Sequence, residues 1–469
     1  MSSRELLQRA AQIAGDYLES LPERPVGSMA SVEDMRRALG GDLPERGESA
    51  ESVLEALAAK ADSGIVATAG PRYFGFVVGG TLPVTIAADW LVSTWDQNAG
   101  LYVLSPANAV AEEVAGGWLR ELFGLPAGAS VGFVTGCQAA NFSALAAARH
   151  ALSQRFGWDV EARGLYGAPE IEVVVGAEVH VTVLTALQML GFGRERVHRV
   201  AIDSQGRMIP AALRETLAPL AGRPTLVCAQ AGNVNSGAFD PLDEIAALTV
   251  PHGAWLHVDG AFGLWAGASP ELRALVAGVG RADSWATDAH KWLNVPYDSG
   301  LVFCAHPDAH RAALTAHADY LEQTEGQERD PFEWAPEFSR RARGFAVWAA
   351  LRHLGRSGVA DLVERCCRHA RRFAELLVTS GRVEILNDVV LNQVLVRFSP
   401  PGGEGGAADT DTFTREVIRR VQLEGTCWLS GTTWQGRAAM RISVSNWSTS
   451  DADVERSAAA IRRAAELAH

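Results

Sequence analysis

The sequence has little lysine and no excess of positive charge, and both scarcities exclude classes of function. Only two of its 42 basic side chains are lysines, Lys60 and Lys291, so chemistry that needs an amine must use one of these positions. The formal net charge is -13 and the isoelectric point is about 5.5. A nucleic-acid or anionic-membrane partner would require a basic surface. We therefore expect a small-molecule substrate, with neither nucleic acid nor membrane as a partner.

The chain also lacks long apolar runs and paired cysteines. No apolar run approaches the roughly 18 residues that span a bilayer, and the first ten residues are already charged. The six cysteines contain no C-x-x-C pair, which predicts neither a zinc site nor a disulfide framework. These features predict a cytoplasmic protein that holds no metal.

Length and periodicity predict several domains, because a chain of 469 residues with 48% hydrophobic side chains is longer than a single hydrophobic core usually accommodates. Residues 1–70 are helical and polar at intervals, which indicates a peripheral arm. In residues 71–315, β-branched runs alternate with alanine-rich stretches, which predicts a mostly parallel sheet with helices on both faces. Residues 316–340 are charged and aperiodic, which predicts a mobile loop, and 341–469 predict a smaller C-terminal α/β domain.

Lys291 is the stronger of the two amine candidates. Lys60 lies off the apolar stripe of a predicted helix, which is typical of a solvated side chain. Lys291 lies in an apolar and aromatic segment, DSWATDAHKWLN at 283–294. A Schiff base needs an amine that can lose its proton, and burial and neighbouring positive charge promote that loss. The alternative is a buried lysine paired with Asp288 or Asp259 for structure alone.

Two further elements follow predicted strands, where parallel sheets bind their ligands. A tight turn at Gly136, Cys137 and Gln138 leads into a helix, and free amides and the helix dipole at such a start suit a phosphate. An ordinary strand-to-helix turn is the alternative. His180 follows the strand IEVVV and is placed to stack on a flat heteroaromatic ring, although a structural histidine would fit the same pattern.

Asp259 ends an apolar strand that begins at Trp255. Burying a carboxylate there costs free energy unless the carboxylate is paired with another group or takes part in binding or catalysis. Pyridoxal 5'-phosphate (PLP) supplies a use, because a carboxylate at its pyridine nitrogen keeps that nitrogen protonated and lets the ring accept electrons. The small Ala261 leaves room for the ring face opposite His180. A metal ligand or an ion pair is the alternative for Asp259.

These segments resemble, in order and spacing, the group II PLP-dependent decarboxylases. The resemblance rests on TGCQAAN at 135–141, His180, HVDGA at 257–261 and DAHKWLN at 288–294, and extends from about Pro71 to Arg441. It implies the aspartate aminotransferase-like fold, fold type I of PLP enzymes. It also implies a homodimer with its active sites at the interface and an N-terminal arm that packs on the partner.

The resemblance implies roles for individual residues. Lys291 forms the Schiff base, Asp259 pairs with the pyridine nitrogen, and His180 stacks on the ring. These three are the implied catalytic residues. The positions implied around the cofactor are Gly136, Cys137, Gln138, His180, Asp259, Ala261, His290 and Lys291.

The implied reaction is α-decarboxylation of an L-amino acid to the amine and CO2. Phe76, Val77 and Val78 match the segment that lines the family's substrate pocket, and their apolar character predicts an aromatic or other hydrophobic side chain on the substrate. Arg72 beside them is the exception that would admit a carboxylate.

Departures from the family leave other outcomes of PLP chemistry open. Pro331, followed by Phe332, stands where aromatic amino acid decarboxylases have a loop tyrosine that helps protonate the carbanion. Related enzymes with phenylalanine there release an aldehyde, although Tyr320 could substitute for the tyrosine. Arg441 stands where enzymes of the aminotransferase-like fold often bind the α-carboxylate of the substrate. Such binding would oppose decarboxylation and favour an aminotransferase or a carbon–carbon lyase. A PLP-fold protein without catalysis is the remaining class.

Overall fold

A computed structural model describes residues 1–315, 328–379, 381–401 and 406–468. The chain forms two compact units. Unit 1 comprises residues 1–78, 372–385 and 395–469. Unit 2 comprises residues 79–371 and 386–394.

The helices and strands are numbered in chain order. The helices are α1 (Ser3–Ser20), α2 (Val32–Leu39), α3 (Ala50–Ala61), α4 (Pro83–Trp95), α5 (Pro106–Phe123), α6 (Cys137–Arg155), α7 (Val160–Arg163), α8 (Val181–Met189), α9 (Pro210–Leu217), α10 (Leu242–His252), α11 (Ala289–Trp292), α12 (Pro307–Leu314), α13 (Gly344–Val378), α14 (Ala407–Glu424) and α15 (Asp451–Leu467). The strands are β1 (Tyr73–Phe74), β2 (Ser130–Val134), β3 (Glu172–Gly176), β4 (Val197–Val200), β5 (Thr225–Gln230), β6 (Trp255–Asp259), β7 (Ser284–Asp288), β8 (Gly300–Cys304), β9 (Val383–Ile385), β10 (Gln393–Phe398), β11 (Trp428–Trp434) and β12 (Arg437–Ser443).

Unit 2 is built on a seven-stranded sheet of order β2-β8-β7-β6-β5-β3-β4. Strand β8 runs antiparallel to β2 and β7, and the pairings from β7 through β4 are parallel. The central strands β3, β5, β6 and β7 are buried along their whole length, which is typical of strands covered on both faces. The prediction of a mostly parallel sheet is confirmed.

A hydrophobic core fixes helices α6 and α8 against this sheet. Leu145 of α6, Leu187 of α8, Val173 of β3 and Trp255 of β6 are all fully buried in it. Each large apolar side chain contributes roughly 1.5–3 kcal/mol when it leaves water. This packing holds the start of α6 at the end of β2, where the predicted phosphate turn lies.

Unit 1 contains a five-stranded sheet of order β1-β11-β12-β10-β9. Strand β1 pairs with β11 in parallel, and Tyr73 stacks on Trp428 with ring centroids 5.2 Å apart. Helix α15 begins with a capping box, in which the side chains of Ser450 and Asp453 each accept a hydrogen bond from the other's backbone amide. Helices α1 to α3 lie in the segment predicted to be helical. That this arm packs on a second copy of the chain remains a prediction.

The segment predicted to be a mobile loop is described only in part. Residues 316–327, which include Tyr320, lie outside the described residues. After them, Pro331–Trp334 forms a 3-10 turn, and the amide of the buried Phe332 donates to the carbonyl of Gly100 at 2.9 Å. The loop and the four-part domain division both remain predictions.

Among the described residues, none of the helices combines the length and the apolar character that crossing a bilayer requires.

Candidate active site

The predicted site elements lie at the carboxyl ends of strands in unit 2. Strand β2 leads into Gly136, β3 leads toward His180, β6 ends at Asp259 and β7 ends three residues before Lys291. These strands share one direction, so their carboxyl ends meet at one edge of the sheet, as ligand sites of such sheets require.

Lys291 is a paired ammonium in this site. Its Nζ lies 2.9 Å from Oδ2 of Asp288, and its side chain is 20% exposed. Burial alone would lower the pKa of Lys291, but nearby carboxylates, with Asp288 foremost, outweigh burial and hold it above its usual value. The sequence led us to expect burial and positive charge to free the amine of its proton. The structure places negative charge there instead, so the amine must pass its proton on before it can attack an aldehyde.

Backbone contacts fix the short helix α11 that carries Lys291. The side-chain oxygen of Asn294, a residue in the left-handed conformation with φ 56°, accepts a hydrogen bond from the amide of Gly80 at 2.8 Å. Gly79 packs against the same helix, and a Cβ added there would lie 1.8 Å from the carbonyl oxygen of Lys291. Glycine is therefore required at position 79.

Cys137, the first residue of α6, joins the two carboxylates of the site. Its amide donates to Oδ1 of Asp288 at 2.6 Å, and its thiol donates to Oδ1 of Asp259 at 3.5 Å. Burial, helped by Asp259, raises the pKa of the Cys137 thiol, so the thiol keeps its proton and stays a donor. The carboxylate beside Lys291 and the carboxylate at the end of β6 therefore contact one residue.

Asp259 is 5% exposed and surrounded by donors. The amide of Ala261 donates to Oδ1 at 3.1 Å, and Nδ2 of Asn141 donates to Oδ2 at 3.3 Å. Nδ2 of Asn141 also lies 3.4 Å from Oγ1 of Thr182, which lies 2.7 Å from Nδ1 of His180. Asn141 and Thr182 thus connect Asp259 with His180.

The turn after β2 packs closely on His290. A Cβ added to Gly136 would lie 3.3 Å from Cε1 of His290. Nδ1 of His290 accepts a hydrogen bond from the amide of Ser299 at 3.2 Å, and Tyr297 stacks on the imidazole with centroids 4.2 Å apart. Burial lowers the pKa of His290, so this imidazole is neutral near pH 7. Gln138 lies exposed in the first turn of α6.

The residues of this site fit PLP. An amine, a buried carboxylate with donors around it, an imidazole and the start of a 19-residue helix converge at one edge of the sheet. These are the partners that the cofactor's aldehyde, pyridine nitrogen, ring face and phosphate need. Among the described residues, no cluster of His, Cys, Asp or Glu side chains could hold a metal ion.

The predicted substrate-pocket residues belong to unit 1. Phe76 is 59% exposed and lies near Trp428, with ring centroids 5.5 Å apart, and Val77 is buried. Val78 ends the first segment of the unit. The assignment of these residues to a substrate pocket remains a prediction.

Two arginines considered for substrate binding also lie in unit 1. Arg72 is buried, and its guanidinium donates to the carbonyls of Pro22, Arg24 and Thr426. It is therefore committed to the fold rather than free to admit a substrate carboxylate. Arg441 is buried on β12, and burial lowers its pKa to about 10.

The sequence did not assign roles to Asn141, Thr182, His257 or Ser284, which belong to the hydrogen-bond network around Asp259. One signal was available, because His257 and Asp259 are two residues apart on a strand and so share a face. The other partners come from α6, α8 and β7, and no spacing in the sequence joins them.

Comparisons with known proteins agree with this geometry. Residues 33–399 match the model of the pyridoxal-dependent decarboxylase conserved domain. The aromatic-L-amino-acid decarboxylase of Bacillus atrophaeus is 26% identical over 448 residues, covering 94% of this chain and 90% of the relative. Acidic amino acid decarboxylase GADL1 of Mus musculus is 31% identical over 376 residues, covering 79% of this chain and 67% of the relative.

Solved structures show the same fold. Oryza sativa TDC with PLP and tryptamine superposes with a TM-score of 0.92 at 24% identity, over 99% of this chain and 98% of the other. Rhodiola rosea 4-hydroxyphenylacetaldehyde synthase superposes with a TM-score of 0.88 at 23% identity, over 100% of both chains. Fold type I, predicted from the resemblance, is confirmed.

Proposed function

The chain belongs to the pyridoxal-dependent decarboxylase family, and we propose that it removes the α-carboxylate of an aromatic or other hydrophobic L-amino acid as CO2 and releases the amine. It is a PLP-dependent carboxy-lyase of fold type I. One observation carries the site assignment. Cys137 contacts both Asp288, the partner of Lys291, and Asp259, so the amine and the carboxylate that the cofactor needs stand in one site.

Each residue of the site has a distinct task. When bound, PLP supplies an aldehyde that exchanges amines and a protonated pyridine ring that accepts the electrons of the broken bond. Lys291 holds the cofactor through its amine and returns that amine when the product leaves. Asp259 holds a proton on the ring nitrogen, and His180 and the small Ala261 face the ring. The residues that hold the phosphate are Gly136, Cys137, Gln138 and His290.

The substrate side chain meets Phe76, Val77 and Val78. Backbone strain supports this proposal, because Phe76 and Val77 adopt left-handed conformations with φ of 55° and 57°. A β-branched residue is a rare outlier there, and such strain concentrates at ligand sites. Neither Phe76 nor either valine carries a group that would pair with a substrate carboxylate, which favours an apolar side chain.

Release of an aldehyde is the second candidate, and Pro331 favours it. In aromatic amino acid decarboxylases a tyrosine at the corresponding place helps to protonate the substrate carbon after CO2 leaves, and proline carries no acid group. Without that proton donor, O2 and water would enter the reaction, and the products would be aldehyde, ammonia and peroxide alongside CO2.

A panel of single L-amino acids, incubated with the holoenzyme in air, separates these outcomes. Amine with CO2 and without peroxide would establish the decarboxylase, and aldehyde with peroxide would establish the second candidate. A keto acid without CO2 would contradict both and would favour transamination, in which Arg441 retains the carboxylate.

Assembly into a homodimer completes the proposal. Helices α4 and α5 and the turn between them expose large apolar side chains, which a soluble monomer seldom leaves in water. These side chains are Trp90, Leu91, Trp95, Val103, Leu104 and Val110. Sedimentation equilibrium should give twice the chain mass, and a monomer would contradict this part.

The cysteines are all free thiols, which supports a reducing, cytoplasmic location.

A further inference from the structure

A buried chain of hydrogen bonds ends at Asp259 and joins β6 with two other elements, β7 and α6. We name Trp255, Ser284, His257 and Asn141 the donor chain. Nε1 of Trp255 donates to Oγ of Ser284 at 2.9 Å, and Oγ of Ser284 lies 2.9 Å from Nδ1 of His257. Nε2 of His257 lies 2.9 Å from Oδ1 of Asn141, whose Nδ2 donates to Oδ2 of Asp259. All four side chains are fully buried.

The chemistry of its two ends fixes the direction of every bond in the donor chain. Asp259, as a carboxylate, only accepts, so the amide nitrogen of Asn141 must face it and the amide oxygen must face His257. Nε2 of His257 must then carry a proton. Burial lowers the pKa of His257 to about 4, so the ring is neutral and its Nδ1 accepts from the hydroxyl of Ser284. The indole of Trp255, which only donates, fills the remaining position on Ser284.

Every proton of the donor chain therefore points toward Asp259. Successive hydrogen bonds that run in one direction polarise one another in a low-dielectric interior. Their sum favours the charged form of the last acceptor and holds its oxygens in one orientation. The second amide hydrogen of Asn141 points to Thr182, which contacts His180.

We propose that Asn141 is a positioning residue that, backed by His257 and Ser284, keeps Asp259 ionised and oriented toward the cofactor's ring nitrogen and aligns His180 with it. The proposal rests on the proposed function, because it acts through the role of Asp259. Asn141 does not touch the reacting atoms in this assignment. Its contribution is to set the charge and the orientation of the Asp259 carboxylate before any substrate arrives.

Four titratable groups around Asp259 keep their charge near neutral pH in the protein without cofactor. Burial raises the pKa of the Cys137 and Cys228 thiols, so both stay protonated. Carboxylates, against the effect of burial, hold the pKa of Lys291 above its usual value, so it stays cationic. His257 stays neutral. PLP binding to the wild-type protein, measured over the same pH range, is the reference for any pH response introduced at position 141, because Lys291 must also give up a proton when it binds the aldehyde.

Two variants of Asn141 test the proposal through the resting holoenzyme. Asn141→Leu keeps the size of the side chain and suits a helix interior but removes the donor. Asn141→Asp keeps the shape and the acceptor for His257 and replaces the donor with a carboxyl group. The readouts, without substrate, are the dissociation constant of PLP from pH 6 to 9 and the 15N chemical shift of PLP labelled at its ring nitrogen.

For Asn141→Leu we expect the PLP dissociation constant to rise about tenfold or more, as for loss of a hydrogen bond to a charged group. The 15N shift should move toward that of neutral pyridine. For Asn141→Asp, the two carboxyl groups should share a proton at low pH, so that one donates to the other. PLP binding should then approach wild type at pH 6 and weaken as the pH rises.

Two controls separate the possible failures. Ser143→Ala alters a buried polar side chain of the same helix, whose hydroxyl donates to the carbonyl of Ala139 at 2.8 Å, and should leave both readouts at wild type. Asp259→Asn should move the 15N shift, and an unmoved shift there would overturn the proposed function itself. If Asp259→Asn moves the shift but Asn141→Leu does not, the donor chain has no such role. An Asn141→Asp variant that binds PLP independently of pH would also overturn it.

Discussion

Loss of Arg340 should destabilise the free protein more than loss of its neighbour Arg341. The guanidinium of Arg340 bonds to Oε1 of Glu112 at 2.8 Å, and both side chains are 0% exposed. It also donates to the carbonyls of Ala99 and Phe133. Arg340→Met leaves a buried carboxylate without its main partner, which costs about 3–5 kcal/mol.

The expected shift in melting temperature follows from the size of unit 2. Unit 2 has roughly 300 residues, and unfolding entropy is about 2.1 cal/mol/K per residue, or about 0.6 kcal/mol/K for such a unit. A loss of about 3–5 kcal/mol therefore lowers Tm by ~5–8 °C. The measurement is calorimetry without PLP, so that cofactor binding adds nothing to stability.

Arg341→Met is the matched control for this experiment. Arg341 pairs with Asp89 at 2.7 Å, but its side chain is 38% exposed, and such pairs contribute about 0–1 kcal/mol. Glu112→Gln added to Arg340→Met should recover part of the lost stability, because without Arg340 the buried Glu112 carboxylate relies on the longer ion pair with Arg329 at 3.6 Å. Equal shifts for Arg340→Met and Arg341→Met, or no recovery in the double variant, would refute the reasoning.

Three further outcomes are expected. Lys291→Ala should lose the visible absorbance of bound PLP that wild type keeps through gel filtration. Lys60→Ala, altered at an exposed position of α3, should keep it. Absorbance retained by Lys291→Ala would contradict the attachment of PLP to Lys291. Asp259→Asn should bind PLP but lose most of its turnover, and a kcat near wild type would remove its role. Burial lowers the pKa of His257 to about 4 and of His310 to about 3. Unfolding returns both pKa values to about 6.5, so the unfolded state binds more protons and Tm falls as the pH drops from 6.5 toward 4. A His310→Gln variant whose Tm falls as steeply with pH as that of wild type would contradict this.

Periodicity predicted the large sheet because its central strands are short, apolar and rich in β-branched residues. The run IEVVV at 171–175 appears as β3, and the apolar segment from Trp255 to Asp259 appears as β6. Strands β4 (VHRV) and β11 (WLSGTTW) were not predicted, because neither has a continuous apolar run or a regular alternation of polar and apolar residues. The order of the strands also lies beyond periodicity, because it depends on which crossovers pack.

The candidate site was predictable where chemistry depends on residue type and position after a strand. Lys291 stood out because lysine is nearly absent from the chain, and Asp259 because it ends an apolar strand. The charge around Lys291 was not predictable in the same way. Asp288 was named as a possible partner, but whether burial or the carboxylate decides the pKa of the amine depends on a distance of 2.9 Å that the sequence does not contain.

The order of strands explains why a residue of α6 must join His180 to Asp259. Strand β5 lies between β3, which precedes His180, and β6, which ends at Asp259. Neighbouring strands are about 4.8 Å apart, so the two strand ends are separated by about 10 Å, too far for a direct hydrogen bond. Asn141, one turn into the helix above them, has one amide hydrogen for each side and spans this gap. A side chain with a single donor at position 141 could serve Asp259 or His180 but not both.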